Sequence, residues 1–349
     1  MSVAAPDATP PPPGPLVPRG MVSPAEREAL VTRAAVITRA DLARFQLTGG
    51  GRVACLQGLL SSDVDKAGQD SHTFGALLTS KGMIVAPLWV MRTADALLLE
   101  APASAAAEIE AALQRSLPPR LCRYAVSTAE SASVGLYGPA AAAALAAVAG
   151  SAGPPVPGRV AHLRHGGSAF LAARIVARGL DGFDCIVPAG TAGGLVARLE
   201  KEGAAPVMGA LLEERRILAG FPQLGAEIDD KTLPQEARLD ELGAVSYTKG
   251  CYLGQETVAR VHFRGHANRY LAGVAMEQLP GALPTPLMAG ERTAGRLTSA
   301  CWWEAGGCYA GLAVLRREVR PGDTVTAPDG LLGTVRELPW EPPPDSRTP

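Results

Sequence analysis

The sequence predicts an α+β fold built from more than one packed unit and ending in a small β-barrel. Three observations carry that expectation. Short apolar runs between turn residues, the mark of antiparallel strands, alternate with alanine-rich stretches of helical length, and this round occurs twice. Beyond Tyr270 the helical signal fades into short strands and glycine turns, which suggests a barrel. With 349 residues, 47% hydrophobic and 19% charged, the chain can form two or three domains, each with its own core.

The elements follow in order. Residues 1–20 hold seven prolines and read as an extended, disordered tail, so 1–22 is set outside the fold. Its end, Leu16-Val17-Pro18-Arg19-Gly20, resembles a thrombin-cleavage linker, either added or native, with Met21 as an alternative start. Ser23-Pro24 before Glu26 and Glu28 is a capped helix start, and this helix should end before Val36. Residues 41–45 and 55–60 read as short helical pieces around Gly49-Gly50-Gly51, a plain turn that lacks the spacing of a phosphate loop. Residues 74–79, 83–92 and 96–99 form an antiparallel meander, followed by a helix over 104–117 that stops at Pro118-Pro119. The second round has a strand at 134–137, a helix at 139–148 and a linker at 150–158. Strands at 169–176 and 183–187 and a helix at 191–202 complete it. A further helix covers 209–219. No convincing sequence repeat accompanies the two rounds. The domains are placed at 23–130, 131–265 and, for the barrel, 266–340, with a tail at 341–349.

The formal net charge of −1 provides no global field for nucleic acid or anionic membranes. No apolar run has the roughly 18 residues of a membrane span, and no secretory signal precedes the first helix. The six cysteines, at 55, 122, 185, 251, 301 and 308, form no C-x-x-C pair, so neither a metal site nor a disulfide framework is expected. They read as reduced thiols in a cytoplasmic protein.

The most informative stretch is 245–266. Here an apolar strand runs into Lys249-Gly250, and a helix is expected to begin near Cys251. A helix dipole and the Lys249 ammonium would both favour a Cys251 thiolate; a buried core cysteine is the other reading. Gly250 and Gly254 permit close backbone approach, and Gln255 and Glu256 add an amide and a carboxylate. Arg260, His262, Arg264 and His266 alternate with Val261 and Phe263. In a strand they would line one basic face, either solvated or suited to an anionic ligand.

Lys249-Gly250-Cys251-Tyr252-Leu253-Gly254-Gln255-Glu256 resembles the signature of the YgfZ-type folate-binding proteins, relatives of the glycine-cleavage T-protein and of mitochondrial iron–sulfur assembly factors. Weaker matches follow the family's order: 56–64, Ser80-Lys81-Gly82-Met83, 216–222 and 295–299. The resemblance covers about 30–340. It implies a T-protein-like ring of antiparallel sheets and helices around a folate-sized channel faced by the Lys-Gly-Cys segment. Cys251 and Asp63 would be the catalytic candidates, with Asp63 where the T-protein has its catalytic aspartate; a capping role for Asp63 is the alternative. Lys249, Gly250, Tyr252, Gln255, Glu256, Arg260 and Arg264 would contact tetrahydrofolate or a one-carbon derivative. Leu218 departs from the family, which often has a pterin-binding glutamate there. The implied function is a folate-dependent accessory factor for iron–sulfur client enzymes, including tRNA-modifying ones, acting as a monomer without direct contact to nucleic acid or membrane. A one-carbon transferase and a non-catalytic scaffold are the alternatives.

Overall fold

The computed structural model describes residues 15–150 and 153–341. The elements begin with β1 (Leu16–Val17), α1 (Pro24–Thr32), β2 (Ala34–Thr38) and β3 (Leu42–Thr48), then α2 (Arg52–Gln57) and α3 (Val64–Ala67). The first meander is β4 (Ser71–Leu78), β5 (Ile84–Arg92) and β6 (Ala96–Pro102), followed by α4 (Ala106–Ser116) and β7 (Arg123–Val126). Next come β8 (Ser131–Tyr137), α5 (Ala141–Ala149), β9 (Val160–His165), β10 (Ser168–Ala177), β11 (Leu180–Pro188), α6 (Ala192–Lys201) and β12 (Ala204–Pro206). Helices α7 (Gly209–Leu218) and α8 (Gln255–Arg264) precede β13 (Arg269–Met276), β14 (Thr285–Ala289), β15 (Arg292–Trp303), β16 (Cys308–Arg316), β17 (Thr324–Thr326) and β18 (Leu332–Arg336).

These strands make three sheets. One runs β4-β5-β6-β3-β7 and the second β12-β2-β8-β11-β10-β9. The third, β13–β18, closes through β15–β16 into the expected terminal barrel and gains β1 at one side. Ser23 opens α1 with a reciprocal capping box: its hydroxyl accepts from the Glu26 amide at 3.2 Å, and its own amide donates to the Glu26 carboxylate at 3.0 Å.

The two α+β units repeat one backbone plan. Each antiparallel meander ends in a proline with nearly the same dihedrals, −52° and 132° at Pro102, −56° and 136° at Pro188. A short 3₁₀ turn then leads into α4 or α6. Each unit also has a strand that ends on a left-handed glycine, Gly49 at φ 108° after β3 and Gly138 at φ 109° after β8. In sequence, only the pattern Pro-Ala-x-x-Ala, at 102–106 and 188–192, marks the repeat.

Four expectations are corrected. Residues 41–45 are not helical: Ala43, Phe45 and Leu47 point into one core at period two, and β3 pairs on both edges, with β6 and β7. The tail reading fails from Pro15 onward. Leu16 and Val17 pair in parallel with Ala300 and Cys301, and Val17 and Val22 are buried against Leu211, Leu218 and Leu271. The rest of that tail, 1–14, and 342–349 lie outside the described residues. The expected boundary at 130 is crossed, because β2 sits between β8 and β12 in the second sheet. Likewise Phe221, Ile228, Leu239, Tyr252 and Val258 pack on Phe74, Ala76, Leu78 and Ile84, so much of 219–265 belongs with the first sheet. Among the described residues no helix is long and apolar enough to cross a membrane.

Candidate functional site

Both α+β units and α7 enclose a cavity of about 650 Å³. Strands β4 and β5 supply an apolar wall of Phe74, Pro87 and Trp89, with the Phe74 and Trp89 ring centroids 4.6 Å apart and Phe221 5.2 Å from Phe74. Charged groups arrive from separate places: Arg39 and Asp41 from the β2–β3 turn, Glu100 from β6, Arg178 from the β10–β11 hairpin, Glu213 and Arg216 from α7. Arg39 grips Asp41 with two hydrogen bonds of 2.8 and 2.6 Å, and Arg178 donates to buried Asp184 at 2.8 Å. Behind Trp89, His72 stacks at 4.7 Å, and burial pushes its imidazole down to about 4, so it stands neutral.

Glu100 is the titratable group poised near neutrality. Burial pushes its carboxyl up to about 7, the Asp184 charge adds to this, and the Ser133 hydroxyl bond opposes it. Arg44 steadies that serine, donating to its hydroxyl at 3.0 Å. An aromatic wall beside a carboxyl and fixed ion pairs suits a flat ring bearing N–H and C=O groups. The folded pKa lies above the ordinary 4.5, so the stability this group contributes is complete below pH 4.5 and is lost as pH rises through 7. Glu100→Gln should flatten the pH–stability curve between those values by up to about 1.4 kcal/mol per pH unit, measured by urea unfolding across that range.

A second cavity of about 510 Å³ adjoins the first, sharing Ser104 and Leu224 with it, and is lined by Glu108, Asp229, Asp230 and Arg296. Arg296 pairs with Asp229 at 3.0 Å.

The residues singled out from the sequence lie elsewhere, and none lines either cavity. Lys249 is buried, and its ammonium donates to the carbonyls of Gln57, Leu60 and Ser62 at 2.7, 2.5 and 2.8 Å. Burial pushes it down to about 8, against the attraction of Asp63. Its charge is thus spent on the carboxyl end of α2 rather than on Cys251. Asp63 caps α3, accepting from the Lys66 amide at 2.9 Å and from Gln57 Nε2 at 2.9 Å; first that amide, then Gln57 and Lys249, hold its carboxyl below the usual range against burial. Tyr252 is buried, with its ring 4.8 Å from the Lys249 ammonium. Gly250 is exposed. Gly254 must be glycine, because it has φ 81° and a Cβ there would come 2.4 Å from the Thr79 carbonyl.

Two corrections follow. The stretch 255–264 is helix α8, not a strand, so the alternation of basic residues does not make a single face. Arg260 and Arg264 are exposed one helical turn apart, with Phe263 exposed beside them, while His262 stacks on Tyr247 at 3.7 Å. That helix starts at Gln255, with Glu256 exposed in its first turn, so Cys251 precedes the helix instead of standing at its N-terminus. Cys251 is nevertheless exposed, whereas Cys122, Cys185 and Cys301 are buried and Cys55 and Cys308 half-buried. A brief iodoacetamide pulse on folded protein, with peptide mapping, should label Cys251 at least tenfold faster than the three buried thiols.

The GCVT N-terminal domain family matches residues 19–247. The chain belongs to the GCVT family. The chain is 29% identical over 323 residues to the tRNA-modifying protein YgfZ of Yersinia pestis (strain Pestoides F), spanning 87% of this chain and 92% of that relative. A chloroplastic protein of Arabidopsis thaliana, named as a transferase, is 29% identical over 161 residues, 46% of this chain and 37% of its own length. The glycine cleavage system aminomethyltransferase T from Bartonella henselae has the same fold, with a TM-score of 0.80 at 20% identity over 91% of this chain and 89% of that one.

In this GCVT-family chain, Leu218 is buried against Val17 and Leu271 and does not reach the cavity. The carboxylates on the cavity wall are Asp41, Glu100 and Glu213 instead. Sequence reasoning passed over these groups and Arg39, Trp89 and Arg178, because they come from separate elements and none supplies more than two of the charged ones. One signal was present: Glu100 interrupts the apolar run Ala96-Leu97-Leu98-Leu99, where a lone carboxylate in a strand is costly unless it has a use.

Proposed function

We propose that this chain is a YgfZ-type protein that binds tetrahydrofolate or a one-carbon derivative in the central cavity and serves iron–sulfur client enzymes of the cytoplasm, tRNA-modifying enzymes among them. The observation that carries the ligand is the cavity itself. Its volume of about 650 Å³ suits a folate-sized molecule, and Phe74 and Trp89 offer a flat face next to Glu100. The pyrimidine half of a reduced pterin is flat, and its amino and ring N–H groups would pair with Glu100, while Trp89 stacks and Arg39 with Asp41 lines the same cavity. Bound folate supplies a one-carbon carrier; the chain's residues bind it, orient it and exclude water. The fold of an aminomethyltransferase and the name of the Yersinia relative support the reading. With Arg260 and Arg264 outside the cavity, no contact of theirs to a glutamate tail is proposed. Cys251, exposed on the signature loop, is the group we assign to client enzymes rather than to the folate.

Isothermal titration with tetrahydrofolate tests the ligand. Saturable binding is expected, and Trp89→Ala should weaken it about tenfold, the equivalent of 1.4 kcal/mol. An absence of binding to any reduced folate leaves only a scaffold role. Cys251→Ser should bind folate as the parent does while failing to support client iron–sulfur enzymes.

A further inference from the structure

Helix α8 presents an aromatic side chain to solvent and holds it in place. Phe263 is 66% exposed, yet its ring does not hang free. It stands edge-on to His262, with centroids 4.7 Å apart, and to Tyr247 at 5.8 Å, while His262 is itself stacked on Tyr247 at 3.7 Å. Tyr247 is anchored in turn: its hydroxyl accepts from Gln235 Nε2 at 3.2 Å, and the same amide donates to the Val258 carbonyl of α8 at 2.8 Å. At about 100° per residue, Glu256, Arg260, Phe263 and Arg264 share one exposed stripe of the helix, with buried Val258 on the far side. Phe263 is thus flanked along the helix by two guanidinium groups. The carboxylates nearest in the chain on the packed side are already taken, Glu236 by Arg269 at 2.9 Å and Glu241 by Arg238 at 2.8 Å. Among the described residues no carboxylate pairs with Arg260 or Arg264, not even Glu256 at the head of the stripe.

We propose that this face of α8 docks a partner protein through an acidic segment, whose carboxylates meet Arg260 and Arg264 and whose apolar side chain packs on Phe263. An exposed aromatic ring that is already held in one position loses little entropy on binding, and aromatic and arginine side chains dominate the energy of protein interfaces. The unpaired guanidinium groups beside it select for negative charge, and arginine pairs with carboxylates in a defined two-point geometry. A nucleic acid matches the face less well: the chain's net charge is −1, Glu256 heads the same stripe, and two arginines neutralise only a couple of phosphates. The loop that displays Cys251 leads into the other end of this ten-residue helix, about 15 Å away, so a partner that covers α8 extends to the exposed thiol. None of these residues lines either cavity, so the surface stands whether or not the cavity takes a folate.

The test is fluorescence anisotropy on the full-length protein, with short fluorescein-labelled peptides that carry one leucine or tryptophan flanked on both sides by aspartates. The same peptides with lysine in place of aspartate, and a fluorescein-labelled tRNA, serve as comparisons. Saturable binding of the acidic peptides is expected, and it should weaken as salt rises. Phe263→Ala should weaken it about tenfold, and Arg260→Glu with Arg264→Glu should abolish it, while the melting temperature and the tetrahydrofolate titration stay as in the parent. Acidic peptides that bind no more tightly than the lysine peptides, or equally well to the parent and to both variants, overturn the proposal. Binding of the tRNA that Phe263→Ala removes, with no binding of the acidic peptides, overturns it in favour of a nucleic-acid surface.

Discussion

Arg216→Leu should cost about 3–5 kcal/mol of unfolding free energy, because it strands a buried charge. Glu227, whose side chain is 0% exposed, takes a hydrogen bond from Arg216 Nη1 at 2.9 Å. Thr298 Oγ1 also donates to it at 2.7 Å, and so does the Gln223 amide at 2.9 Å. Arg216 reaches in turn to Glu213, to the Phe221 carbonyl at 2.6 Å and to Ser299 of the barrel at 2.9 Å. This single guanidinium therefore joins α7, the cavity floor at 221–227 and β15. Equilibrium denaturation measures the loss. The double variant Arg216→Leu with Glu227→Leu should recover a large part of it, since the stranded carboxylate is then gone. If the double variant is less stable than the sum of the two singles, the charge pair is not what holds these elements together.

The second large effect is expected at Lys249. Methionine fills the same stem but leaves the carbonyls of Gln57, Leu60 and Ser62 without their donor. Each buried orphan costs about 1–3 kcal/mol before water or local shifts relieve it, so a net loss of about 3 kcal/mol is expected. Hydrogen exchange should show it locally, as faster exchange in α2 and at the Leu253 amide that donates to Gly58. The alkylation rate of Cys251, per folded molecule, should change less than twofold. A tenfold fall in that rate would return Lys249 to the role of thiol activator.

The fold was legible where local chemistry and tertiary context agree. Ser23 and Glu26 announce a cap, prolines and glycines punctuate the meanders, and the barrel lacks helical periods. Residues 42–48 were misread although their signal was present: Arg44 and Gln46 alternate with Ala43, Phe45 and Leu47 at the period of a strand, and the shorter window 41–45 cuts that alternation off. Arg260 to His266 misled for the opposite reason: a largely exposed helix imposes no apolar period, so a chance alternation passes for a strand. The signature segment was legible as a unit, but its spacing could not tell a ligand contact from a structural clasp. The cavity was invisible because its charged groups come from at least four separate elements, none with more than two of them.

The placement of β1 and β2 bears on how the chain must assemble as it is made. Strand β2 is synthesised early, yet its neighbours are β8 and β12, and β1 waits for Ala300 and Cys301. At ordinary elongation rates of about 5–20 residues per second, β2 spends on the order of 10–30 s outside the ribosome before Pro206 follows it. Until β8 is made, Val36, which ends up 1% exposed, has no strand beside it, and the equally buried Ala34 waits longer still for Ala204. The first meander, β4 to β6, needs no such wait, since its strands pair with their immediate successors. The nascent protein therefore carries a finished hairpin sheet behind an unpaired leading end, and β1, the first strand made, finds its place only when the barrel has been synthesised.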